Sequence, residues 1–190
     1  MEKIKRKYYT WEDVQKCAHK LALNMYNSGF RPDYIVGLNR GGLPLSVMLS
    51  HLLDCNHYTL DVRLRDSNEG PESNLWMAEH AFGYLEEKDR SDTWSKGRSQ
   101  PKMRKNILIV DDINDTGATF NWIKEDWQGS CVPKDPKWNK VWGNNVRFAV
   151  LTENLSSTFD GVKYYAHEVN KAEEDVWLVY PWENVGQYSE

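Results

Sequence analysis

The stretch Asp111 to Thr119 gathers the residue types best suited to chemistry in this chain. Asp111 and Asp112 are adjacent carboxylates that follow the apolar run Ile107-Leu108-Ile109-Val110. Such a pair at a strand end can accept hydrogen bonds from vicinal hydroxyls or approach a bound Mg²⁺. Asp115-Thr116-Gly117-Ala118-Thr119 then opens a helix. A loop of that kind offers unpaired backbone N–H groups, two hydroxyls and the positive end of the helix dipole, all suited to an anion. Gly117 lets the backbone approach that anion closely. Diol, metal and phosphate together describe a phosphorylated sugar. An Asp-Thr-Gly alone would mean no more than a capped helix start; the whole run argues for the site. A second segment, Asn39-Arg40-Gly41-Gly42, follows another short apolar run, Tyr34–Leu38. Arg40 brings a fixed cation with fork geometry for phosphate oxygens, and the two glycines leave bare N–H groups.

These loops need strands before them and helices after them, and the pattern supplies both. Apolar residues recur at Val14, Cys17, Ala18, Leu21, Ala22 and Met25, the spacing of one helix face. Thr10 is the expected N-cap, and Ser28-Gly29 with Pro32 ends the helix. Strands are expected at Tyr34–Leu38, Tyr58–Leu64, Asn106–Val110, Val146–Leu151 and Val162–Ala166. Helices are expected at Leu43–Leu53, Leu75–Leu85 and Thr116–Trp127. Strands alternating with helices predict an α/β fold, a mostly parallel sheet with helices on both faces. Apart from that Leu75–Leu85 helix, residues 65–105 are too polar for regular structure and read as a long flexible hood, and residues 129–143 form a Pro/Lys/Trp-rich insertion.

The chain has 190 residues, with 40% hydrophobic and 27% charged. That suits one soluble globular domain spanning residues 1–190. A net charge of -4 gives no field to recruit nucleic acid. No apolar run approaches the ~18 residues of a membrane span, and the charged opening is not followed by a signal-peptide core. Cys17, Cys55 and Cys131 form no CxxC pair and are odd in number, which points to a reducing, cytoplasmic setting. The nine tryptophans, crowded at Trp122, Trp127, Trp138 and Trp142, read as packing.

The run Ile107–Thr119 closely resembles the phosphoribosyl-diphosphate (PRPP) signature of type I phosphoribosyltransferases: an apolar strand, two acidic residues and a D-T-G-x-T loop. The resemblance implies that Asp111 and Asp112 hold the ribose hydroxyls. It implies that Asp115, Thr116, Gly117, Ala118 and Thr119 hold the 5′-phosphate, with Asp115 also the base near a purine's imidazole nitrogen. Asn39-Arg40-Gly41-Gly42 resembles the diphosphate loop of the bacterial xanthine-guanine enzymes, with Arg40 catalytic and the Asn39–Arg40 peptide cis. The tail Asp175–Glu183 is similar to that branch too. There Trp177 would stack on the base beside Ile113, the Leu178 backbone would read its edge, and Glu183, with Asp112, would hold a metal.

The resemblance departs at one point. The 6-oxopurine enzymes carry a lysine just after the strand that here is Phe148–Leu151, donating to the base's exocyclic oxygen. This chain has Thr152-Glu153-Asn154 there, and Asn154 could read an oxo or an amino group. The implied activity is Mg²⁺-dependent transfer of phosphoribose from PRPP to a nucleobase, foremost hypoxanthine, guanine or xanthine, in a homo-oligomer (dimer or tetramer). Alternatives are a PRPP- or nucleotide-sensing regulator and a transferase for a pyrimidine or other acceptor. Arg63 and Arg65 are placed in sequence to meet the diphosphate, whereas the cluster Lys96, Arg98, Lys102, Arg104 and Lys105 reads first as a solvated loop flank, with closure over phosphates as the alternative.

Overall fold

The computed structural model describes residues 5–62, 74–83, 104–174 and 176–183. Most of the expected hood, with Arg63, Arg65, Lys96, Arg98 and Lys102, lies outside the described residues. In chain order the elements are β1 (Lys5–Tyr8), α1 (Trp11–Asn27), β2 (Tyr34–Leu38), α2 (Gly42–Leu53), β3 (Asn56–Leu60), α3 (Leu75–Phe82) and β4 (Ile107–Asn114). They continue with α4 (Ala118–Ser130), a 3₁₀ turn (Pro136–Lys140), β5 (Val146–Asn154), β6 (Val162–Val169) and β7 (Val176–Val179).

Five strands form one sheet in the order β3-β2-β4-β5-β6, every neighbouring pair parallel. Helices cover both faces, as the alternating pattern predicts. The central strand shows why. Ile107, Leu108, Ile109 and Val110 are all fully buried. Alternate side chains of a strand point to opposite faces. Ile107 and Ile109 pack with Met77, Ala81, Phe120 and Ile123 of α3 and α4. Leu108 and Val110 pack with Val14, Leu21, Leu45 and Leu49 of α1 and α2. A strand buried on both sides must be apolar at every position, and this one is.

Helix α1 starts as its sequence requires. Thr10 Oγ1 accepts from the Asp13 backbone N–H at 3.1 Å, and Asp13 Oδ2 accepts from the Thr10 N–H at 2.9 Å. The segment after α4 packs inward: Trp138 is buried beside Phe82 and donates from Nε1 to the Cys131 carbonyl at 3.0 Å. Trp127 is fully buried as well, so these indoles build the core.

Several boundaries differ from the sequence pattern: β3 spans Asn56–Leu60 rather than Tyr58–Leu64, α3 ends at Phe82 rather than Leu85, and β5 and β6 run on to Asn154 and Val169 because each is extended by its parallel neighbour. Strand β4 does not stop at Val110. It continues through the acidic pair to Asn114, because β5 runs on beside it and pairs Asp111 with Val150, Ile113 with Thr152 and Asn114 with Glu153. Helix α4 starts at Ala118, two residues later than Thr116, since Gly117 is left-handed (φ +85°). Strand β1 falls in the charged opening, where the pattern predicts no strand. It pairs in parallel with β7, and all its residues are exposed, so no apolar alternation announced it.

Candidate active site

The strand ends set the site. Strands β2 and β4 are parallel neighbours, so their carboxyl ends, Leu38 and Asn114, release the two loops at one edge of the sheet. Helices α2 and α4 both begin without a side-chain hydrogen bond at their N-caps, Gly41 and Gly117. The Leu43 N–H donates to the Arg40 carbonyl at 3.2 Å and the Ala118 N–H to Thr116 Oγ1 at 3.4 Å, and the other first-turn N–H groups face the loops without a capping side chain. Both loops border a cleft of about 1200 Å³, whose lining includes Asn39, Arg40, Gly41 and the whole run Asp111–Thr119.

The loops touch. A side chain at Gly41 would run into the Asp112 carboxylate, so only glycine lets the first loop lie against the acidic pair. The Asn39–Arg40 peptide is cis, as the resemblance implied, and Arg40 is exposed at the cleft. Backbone bonds fix the carboxylates: the Asp112 N–H donates to Asp111 Oδ1 at 2.9 Å, and the Ile113 N–H donates to Asp112 Oδ1 at 2.8 Å. Burial and then the neighbouring Asp112 push the Asp111 carboxyl well above its ordinary value. Burial and then the charge of Glu183 push Asp112 up to about 6. Two acids facing each other at a cleft floor disfavour their own ionisation, an arrangement that invites a cation.

The second loop is latched from outside. The Thr116 carbonyl accepts from the Thr158 N–H at 3.1 Å and from Thr158 Oγ1 at 2.7 Å. At Gly117 a side chain would meet the Phe159 backbone. Beneath the loop, Asn114 Nδ2 donates to Glu153 Oε1 at 2.8 Å and to the Phe159 carbonyl at 2.9 Å. These bonds hold the 5′-phosphate candidates Thr116, Gly117, Ala118 and Thr119 in a defined curve.

The opposite wall comes from the chain ends. Trp177 is 59% exposed and lines the cleft, with Val179 and Trp182. Leu178 is buried, its side chain in the core. Across the β1–β7 ladder, Arg6 is in register with Trp177 and Tyr8 with Val179, and both Arg6 and Tyr8 line the cleft. Neither was singled out in the sequence, where the run Lys5–Tyr8 shows only charge. Tyr180 was missed too. Its hydroxyl donates to the Asp112 carbonyl at 3.2 Å and is hydrogen-bonded to the Thr152 hydroxyl at 2.9 Å, and it stacks on Trp182 with centroids 5.0 Å apart. It thus ties the tail to the acidic pair.

Asn154 has other neighbours than a base-reading residue would. It is buried, and Nδ2 donates to the Asp115 carbonyl at 2.9 Å and to Asp115 Oδ1 at 3.3 Å. Oδ1 accepts from the Ser156 N–H, Ser156 Oγ and the Lys171 N–H at 3.2, 2.8 and 3.1 Å. Lys171, in the turn between β6 and β7, places Nζ 3.1 Å from Asp115 Oδ1. From the expected basic cluster, Arg104 is spent on the Phe82 and Lys140 carbonyls and Lys105 pairs with Asp33 at 3.4 Å, both away from the cleft. Among the described residues, no group of three or more His, Cys, Asp or Glu side chains forms a ready metal cage. None of their helices is long and apolar enough to cross a membrane.

Comparison with known proteins agrees with this geometry. The family profile "Phosphoribosyl transferase domain" matches residues 6–180. The hypoxanthine-guanine phosphoribosyltransferase of Schizosaccharomyces pombe is 24% identical over 187 residues, covering 94% of this chain and 89% of that one. A purine phosphoribosyltransferase from Pyrococcus horikoshii superposes with a TM-score of 0.61 at 23% identity, over 97% of this chain and 99% of that one. The xanthine-guanine-hypoxanthine phosphoribosyltransferase of Helicobacter pylori gives 0.59 at 17% identity, over 94% and 93%.

Proposed function

Because this chain belongs to the phosphoribosyltransferase family, we propose that it transfers phosphoribose from PRPP to a purine base, releasing a nucleoside monophosphate and diphosphate. One observation carries the reading. Two helix N-termini without side-chain caps meet at one cleft, with Asp111 and Asp112 between them and the exposed face of Trp177 opposite. Anion, diol, anion and flat ring is the order of groups in the reacting pair.

In this scheme the 5′-phosphate sits on the N–H groups and hydroxyls of Thr116–Thr119. Asn39–Gly42 takes the diphosphate, with Arg40 neutralising its oxygens. Asp111 and Asp112 accept from the ribose hydroxyls and face the positive charge that grows on the sugar ring as the diphosphate departs. The base stacks on Trp177, with Ile113 below it and the Leu178 backbone at its edge. Asp115 takes the proton from the imidazole nitrogen as the new bond forms. Asp112 and Glu183 suit a divalent cation: burial and then the charge of Glu183 lift Asp112 to about 6, and a positive charge between the two carboxylates would relieve their repulsion. Two carboxylates are what Mg²⁺ commonly draws from a protein, its remaining ligands being water and donor oxygens. When bound, it neutralises charge on the leaving diphosphate. Three free thiols among the described residues suit a reducing, cytoplasmic setting.

The test is direct. The protein is mixed with PRPP, Mg²⁺ and a panel of bases, and diphosphate release is followed. Release with hypoxanthine, guanine or xanthine is expected. Binding of PRPP without release for any base would instead identify a sensor.

A further inference from the structure

We infer that Arg6 is a specificity-determining residue that reads the 2-position of the base and makes xanthine, with an oxygen there, the preferred acceptor. This rests on the transferase reading above. Among the described residues, two cations line the cleft, Arg40 and Arg6. Arg40 belongs to the loop proposed to take the diphosphate. Arg6 is on the other wall, in register with Trp177 across the parallel β1–β7 ladder. Both Arg6 and Trp177 are exposed, and both line the cleft. Neighbouring strands lie about 4.8 Å apart, so a ring resting on Trp177 is within reach of the guanidinium. The Arg6 side chain has no hydrogen bond, ion pair or ring contact among the described residues, although Asp111, Asp112 and Glu183 line the same cleft. A fixed cation with five donors is thus presented unpaired to the ligand space.

The ladder also decides which edge of the base Arg6 meets. Val176 and Leu178 of β7 are buried in the core, whereas all four residues of β1 are exposed. Strand β7 therefore lies against the body of the protein, and β1 forms the outer rim. A purine stacked on Trp177 turns its imidazole ring inward, toward Asp115 and the acidic pair. Its six-membered ring then points to the rim, and the substituent farthest from the imidazole is the one on C2. Hypoxanthine carries only hydrogen there, guanine an amino group and xanthine an oxygen. A guanidinium donates and cannot accept. Guanine sets donor against donor, hypoxanthine leaves the guanidinium to water, and xanthine supplies the acceptor. The other residues of this wall, Tyr8, Trp177, Val179 and Trp182, carry no charge, so discrimination at C2 falls to Arg6. A polar group matched to its partner separates substrates more sharply than apolar fit does.

Two variants test this, Arg6→Met, which keeps the stem and removes the donors, and Arg6→Glu, which replaces them with acceptors. Each is first compared with wild type for thermal unfolding and for the KM of PRPP, and both quantities are expected to stay close to wild type. The kcat/KM is then measured for xanthine, guanine and hypoxanthine. Wild type should favour xanthine over guanine. In Arg6→Met the ratio of kcat/KM for xanthine to that for hypoxanthine is expected to fall about 10–100-fold, the worth of a charge-assisted hydrogen bond. In Arg6→Glu the order should invert, because a carboxylate accepts from the guanine amino group and repels the xanthine oxygen. An equal loss for all three bases would mean that Arg6 merely supports the β1–β7 ladder, and would overturn the assignment. So would ratios unchanged in both variants, or a wild type that favours guanine over xanthine. A wild type that releases diphosphate with none of the bases brings down the transferase reading itself, a result distinct from these.

Discussion

At the scale of single residues, the site divides by neighbour. Asp111 and Asp112 are consecutive, but backbone N–H groups and Glu183 give them different environments. Asp115 is set apart by its contacts with Asn154 and Lys171. This separation predicts the effect of Asp115→Asn. The amide keeps the shape of the loop but cannot take a proton, so kcat should fall by about 10²–10⁴-fold with the KM for PRPP little changed. Steady-state kinetics with varied PRPP checks it; an unaltered kcat would remove Asp115 from proton transfer. The sequence shows all three aspartates because they are contiguous. It hides Lys171, which is 56 positions beyond Asp115 by subtraction and lies in a turn with no motif around it.

At the scale of elements, the loop between β4 and α4 depends on what lies under and behind it. Gly117 is left-handed and packed against the Phe159 backbone. Gly117→Ala therefore combines an unfavourable φ with a steric conflict and should lower stability by about 1–3 kcal/mol while raising the KM for PRPP. Urea denaturation beside kinetics reads both, and a variant indistinguishable from wild type would show that the loop yields freely. Below the loop, Glu153 is 9% exposed; Oε1 takes the Asn114 bond and Oε2 is buried without a partner. Burial pushes this carboxyl from its ordinary 4.5 up to about 7. The folded chain thus holds a proton that the unfolded chain gives up between those values. Stability from this group is present at low pH and is lost as pH rises through that window, the loss being complete above about 7. Glu153→Gln keeps an acceptor for Asn114 and removes the titration. It should be more stable than wild type by about 1–3 kcal/mol at pH 8 and nearly equal to it at pH 5. Urea midpoints at both pH values decide, and a difference independent of pH would rule out the cause given.

At the scale of the whole molecule, the two sides of the cleft have different foundations. The loops proposed to take PRPP spring from β2 and β4, inside a sheet with a core on each face. The wall proposed to take the base rests partly on the two-stranded β1–β7 pair, outside that sheet. Removing residues 1–8 should therefore leave the five-stranded sheet folded and PRPP bound, while raising the KM for the base several-fold through loss of Arg6 and Tyr8 and loosening of Trp177. Circular dichroism, PRPP titration and base kinetics test the separation; a parallel loss of PRPP binding would show that the two sides stand or fall together.

The α/β class, the central strand and the two cleft loops are legible in the chain alone. Each is written in contiguous residues whose spacing reflects the strand and helix periods, and Ile107–Thr119 holds strand, acidic pair and loop without interruption. The wall opposite those loops comes from long-range pairing instead. Arg6 meets Trp177 through a ladder between the two ends of the chain, and Tyr180 reaches Asp112. Lys171 meets Asp115 because Asn154 closes both turns onto one amide. Such contacts are set by how strands pair and helices pack over long separations, which leave no period in the chain to read.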